Sequence, residues 1–142
     1  MQIRLAETAG FCFGVERAVA LAEQTARTCK IIHNRHVVER FERLGLHEIS
    51  SAEEAEPGQT VVIRAHGIPV SEQRMLSARG AAAVDATCPF VKKIHVIAQK
   101  AERDGRSLLI IGTPTHPEVA AIASYSSDAH VFQTAEALQA WL

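Results

Sequence analysis

Ala82-Ala83-Val84-Asp85-Ala86-Thr87-Cys88-Pro89-Phe90-Val91 is the stretch from which the fold is read. Ala82 to Asp85 has the length and character of a short strand. Pro89 then stands where a first helical turn accepts a residue without an amide hydrogen. The pattern predicts a helix from Pro89 to about Asp104. Working back toward the amino terminus, Val70 to about Arg79 is a helix that Gly80 ends, and the β-branched run Thr60 to Arg64 is a buried strand. A helix from about Arg35 to Leu44 is stopped by Gly45, and Lys30 to Ile32 is a brief strand. Val15 to about Thr28 is a helix with Val15, Ala18, Val19, Leu21 and Ala22 on one side, and Ile3 to Ala6 is a first strand. Working forward, Ser107 to Ile111 is a buried strand and His116-Pro117-Glu118-Val119 opens a helix. His130 to Phe132 and Thr134 to Leu142 give a last strand and helix. The alternation predicts an α/β fold with a mostly parallel sheet. A boundary near Asp104-Gly105 divides it into a complete first domain, 1–104, and part of a second, 105–142.

Composition limits what such a fold can do. With 142 residues and 47% hydrophobic content the chain can build a real core. Fifteen basic and sixteen acidic residues give a net charge of -1, so the chain carries no electrostatic footprint for nucleic acid or for an acidic membrane surface, and any anion must be held locally. Met1 to Leu5 lack the features of a signal peptide, and no apolar run is long enough to span a bilayer. The chain therefore reads as cytoplasmic. In that reducing compartment three cysteines point to metal ligation, redox chemistry or simple burial rather than to disulfides.

The polar residues that carry chemistry occur after successive strands. Cys12 lies in Gly10-Phe11-Cys12-Phe13-Gly14-Val15, His33 follows the second strand, and His66 lies in Arg64-Ala65-His66-Gly67. Cys88 precedes Pro89, and His116 and Glu118 lie in Thr115-His116-Pro117-Glu118. Ligands of open parallel sheets bind beyond the carboxyl ends of the strands, so these residues are expected at one sheet edge. At a strand-to-helix turn the helix amides stabilise a thiolate, the metal-binding form of Cys12 and Cys88. Their wide separation matches no local zinc or ferredoxin spacing and names no cluster. Cys29 has no such framing and reads as a core residue. His33, His66 and His116 at helix starts suit a diphosphate, although each is equally an ordinary surface imidazole. His36, His47, His95 and His130 read as solvated. Glu118 either complements a helix dipole or donates protons.

The motifs also resemble those of a known family. The Cys12 motif with Arg17-Ala18, Ile32-His33-Asn34-Arg35, Arg64 to Gly67, Val84 to Pro89 with Val91, and Ile111-Gly112 with His116 to Val119 are similar, in order, to those of the 4-hydroxy-3-methylbut-2-enyl diphosphate reductases. The resemblance implies a trefoil of three α/β domains around a four-iron four-sulfur cluster held by three cysteines. It implies an enzyme that removes an allylic hydroxyl with two electrons and two protons, giving isopentenyl and dimethylallyl diphosphate. Cys12 and Cys88 then match two cluster ligands, His33, His66 and His116 the diphosphate ligands, and Glu118 the acid that organises proton delivery. The third cysteine has no counterpart in this chain, and neither do the downstream serine, threonine and asparagine contacts. The implied partners are the diphosphate substrate, an electron donor such as flavodoxin or ferredoxin, and a missing carboxy-terminal half or a second copy. The other class of function is a non-catalytic remnant of the fold that binds a partner or a small anionic metabolite.

Overall fold

The structure, a computed structural model, describes residues 10–25, the backbone of 29–30 and residues 42–142. The strand expected over Ile3 to Ala6, most of the helix expected from Arg35, and the residues His33 and His36 lie outside the described residues.

Helix α1 (Phe13–Thr25) buries Ala18 and Ala22 and packs Val15, Val19 and Leu21 against the same core. Strands β1 (Cys29–Lys30), β2 (Thr60–Ile63) and β3 (Ala82–Asp85) form a parallel sheet with β2 in the middle. Side chains alternate across a strand, and here both faces of β2 are covered. Val62 joins Ala18, Ala22 and Leu46 on one side, and Val61 joins Ala52, Ala55 and Leu76 on the other. A 3₁₀ turn at Ala52–Glu54, absent from the sequence reading, is fixed by a capping box: Ser51 accepts from the Glu53 amide and the Glu54 carboxylate accepts from the Ser51 amide.

Helix α2 (Val70–Ala78) ends as its glycine predicts. Gly80 has φ of 71°, its amide donates to the Ser77 carbonyl and the Ala81 amide donates to the Leu76 carbonyl, the two bonds of a Schellman motif. Leu76 lies beneath that cap, 2% exposed. Truncating it leaves a cavity that the anchored helix end cannot close. Leu76→Ala is therefore expected to cost about 2–5 kcal/mol in a denaturant titration, and a loss under about 1 kcal/mol would show a looser core than described.

Pairing continues past the ends of β2 and β3, because the Ala86 amide donates to the Ile63 carbonyl and the Cys88 amide to the Ala65 carbonyl. Helix α3 (Pro89–Arg103) follows, with Val91, His95 and Ala98 as its buried stripe. Strands β4 (Leu108–Ile111) and β5 (Ala129–Phe132) pair in parallel through the crossover helix α4 (Pro117–Ala123). Helix α5 (Ala135–Trp141) closes the described chain, capped by Thr134, whose hydroxyl accepts from the Ala137 amide.

Two expectations change here. The described strands divide into a three-stranded and a two-stranded sheet, so the polar residues are shared between two sheet edges. The strand expected to be buried over Ser107 to Ile111 is covered on one face only, with Leu109 and Ile111 42% and 65% exposed on the other. An unbroken apolar run predicts burial on both faces, but whether both are covered depends on elements elsewhere in the chain. The sheets are joined where the Ser124 hydroxyl accepts from the Val70 amide at 3.0 Å and the Gln73 amide donates to the Tyr125 hydroxyl at 2.8 Å. Among the described residues no helix is long and apolar enough to cross a membrane.

Candidate functional site

Both framed cysteines stand at helix N-caps. The Cys12 carbonyl accepts from the Glu16 amide at 2.9 Å, the first bond of α1, and the Cys88 carbonyl accepts from Lys92 at 2.9 Å, the first bond of α3. Cys12 is exposed and Cys88 half-buried, and the Cys88 side chain makes no capping bond, which leaves its sulfur uncommitted. Gly14 explains how the two helix starts meet. A Cβ built there would lie 2.6 Å from Cys88 Sγ and 2.8 Å from its Cβ, so only glycine lets α1 rest against the thiol. An Arg17 guanidinium N–H also donates to the Thr87 carbonyl at 3.3 Å and ties α1 to the turn that carries Cys88. The turn itself is held by Asp85, whose carboxylate accepts from the Thr87 amide at 2.9 Å and pairs with Lys92 at 2.6 Å. Burial works to raise the Asp85 pKa, but the Lys92 and Thr87 contacts outweigh it and hold the carboxyl below its ordinary range. Among the described residues no group of three or more His, Cys, Asp or Glu gathers as a metal site. The glycine gap thus brings the start of α1 against the Cys88 thiol.

His66 and His116 come together although their turns belong to different sheets. Their ring centroids are 5.8 Å apart and nearly perpendicular. His66 rides on the turn after β2, closed by the Gly67 amide donating to the Arg64 carbonyl at 2.9 Å, with Gly67 at φ of 76°. His116 is the N-cap of α4, and its Nδ1 accepts from the Glu118 amide at 3.3 Å. With Nδ1 accepting, Nε2 is the ring nitrogen left to donate. One first-turn amide of α4 is therefore already taken by the histidine. Glu118 is half-buried in the same turn.

Three residues depart from the sequence reading. His95, expected in solvent, is 6% exposed, and its ring lies 4.6 Å from that of Tyr125. His130 is half-buried, with Nε2 2.8 Å from the Asp128 carboxylate and its ring 4.7 Å from that of Trp141. Tyr125 was not singled out at all. The burial of His95 had a signal in the sequence, since Val91, His95 and Ala98 recur at the spacing of one helix face. His47 is exposed as expected, and Cys29 begins β1.

A family model described as LytB protein matches residues 3–141. The chain belongs to the LytB family. Among curated LytB relatives, the 4-hydroxy-3-methylbut-2-enyl diphosphate reductase of Nitratiruptor sp. is 37% identical over 98% of this chain and 52% of its own length. That of Aquifex aeolicus is 41% identical over 88% of this chain and 46% of its own. A solved structure of (E)-4-hydroxy-3-methyl-but-2-enyl diphosphate reductase, the terminal enzyme of the non-mevalonate pathway, superposes with a TM-score of 0.81 at 38% identity, covering 96% of this chain and 52% of that one. The Plasmodium falciparum E-1-hydroxy-2-methyl-but-2-enyl-4-diphosphate reductase gives a TM-score of 0.87 at 26% identity, over 94% of this chain and 45% of that one. The α/β fold is thus that of the LytB reductases, and the chain spans about half the length of the relatives it matches.

Proposed function

We propose that this chain acts as the amino-terminal half of a 4-hydroxy-3-methylbut-2-enyl diphosphate reductase, a cytoplasmic enzyme completed by a carboxy-terminal half. The observation that carries the reading is the meeting of His66 and His116 at 5.8 Å, from turns of two different sheets, in a chain of the LytB family. Residues 1–104 form its first domain and 105–142 the start of its second, a division supported by the break between the two sheets.

In this reading His66, His116 and His33 donate ring N–H groups to the diphosphate oxygens. The Glu118 amide orients His116 so that Nε2–H faces the ligand. Cys12 and Cys88 would hold two irons of a four-iron four-sulfur cluster, and the carboxy-terminal half would bring the third thiolate. When bound, the cluster supplies two electrons, received from flavodoxin or ferredoxin, and a Lewis-acidic iron. The allylic C–O bond breaks, the hydroxyl leaves as water with one proton, and carbon gains the other. Glu118, one residue beyond Pro117 in the first turn of α4, carries protons to that site.

The test uses the chain combined with the carboxy-terminal half of a LytB relative, assayed with a chemical reductant. Glu118→Gln should lower kcat about 100-fold or more with little change in KM. His66→Ala should mainly raise KM, by about 10-fold or more, because one bond to a charged ligand is lost. Normal turnover in Glu118→Gln would remove the proton-delivery role.

A further inference from the structure

His95 is a buried imidazole that the proposed chemistry does not use. Its Nε2 is fully enclosed and has no hydrogen-bond partner among the described residues. One edge of the ring faces the turn that carries His66, since a Cβ at Gly67 would stand 2.8 Å from His95 Cε1 and 3.5 Å from Nε2. Gly67 is thus required twice, for its positive φ and for the room the ring occupies. On its other side the ring packs on Tyr125, which follows α4 and is held to α2 by Gln73. His95 therefore touches the first sheet's turn and the second sheet's helical segment at once.

We infer that His95 is the positioning residue of the diphosphate cradle: wedged between Gly67 and Tyr125, its ring sets the distance between His66 and His116. The inference rests on the proposed function only for the identity of the ligand. Burial lowers the His95 pKa and Lys92 adds to this, outweighing Asp85 and Glu118, which pull the other way. The ring is neutral at neutral pH, so it sets spacing without adding charge behind the cradle.

The test is NMR of the isotopically labelled 142-residue chain, with inorganic diphosphate as the probe. The wild type should show a nuclear Overhauser effect between the His66 and His116 rings. His95→Ala should lose that effect and bind diphosphate about 10-fold more weakly or worse, while amide protection in β2 and β3 persists. His95→Gln, whose terminal amide reaches toward the Nε2 position, should restore much of both. If His95→Ala does not fold, Tyr125→Leu serves in its place, since it removes the other wall of the wedge and should also lose the effect. An unchanged ring-to-ring effect in a folded His95→Ala or Tyr125→Leu variant would overturn the positioning role. Failure of the wild type to bind diphosphate would instead overturn the functional reading, and the ring-to-ring effect would still decide the positioning role.

Discussion

Iron and sulfide are expected to vanish from the anaerobically reconstituted protein, combined with a carboxy-terminal half, when either Cys12 or Cys88 is replaced by Ser. Each thiol stands at the N-cap of a long helix, and neither forms a disulfide. Serine is nearly the same size but does not ionise at neutral pH, so the fold should persist while ligation fails. Cys29→Ser is the control and should keep the chromophore, because Cys29 starts β1 rather than capping a helix. Iron and sulfide analysis with visible absorption provides the measurement. Full iron in Cys12→Ser would refute the assignment. In the 142-residue chain alone, two thiolates should hold iron only labilely, and a gel-filtration step should strip it.

Gly14→Ala should have nearly as large an effect without touching a ligand. The new methyl would stand 2.6 Å from Cys88 Sγ, closer than real contacts allow, and Cys88 is pinned because its amide N–H donates to the Ala65 carbonyl. Either α1 lifts or the thiol turns away. Overpacking of this kind costs about 1–3 kcal/mol, against at most about 1 kcal/mol returned by alanine's better helix propensity. A modest loss of stability should therefore accompany a large loss of iron. Retention of full iron at unchanged stability would mean that the helix ends are further apart than described.

Much of the fold was legible because glycine and proline punctuate it. Gly80 and Gly105 end α2 and α3 with the same pair of bonds, and Pro89 and Pro117 open α3 and α4. The break between the two sheets falls at the boundary expected near Asp104-Gly105. What the sequence hid was non-local. The solvent-facing side of β4, with Leu109 and Ile111, was misread for that reason. For His95, its place in the buried stripe with Val91 and Ala98 outweighs the usual surface preference of a histidine. Among the site residues, Cys12, Cys88, His66, His116 and Glu118 stood out through their strand-to-helix turns. The approach of His66 to His116 across two sheets could not be read from either turn alone.

The seat of α1 on Cys88 also makes this chain its own clock. Cys12 is open to solvent, whereas one side of the Cys88 sulfur is covered by Gly14. An alkylating reagent should therefore reach Cys12 directly, while Cys88 waits on excursions that lift the helix. The ratio of the two rates, followed by mass spectrometry as denaturant or temperature is varied, reports the local opening free energy of α1 without any added label.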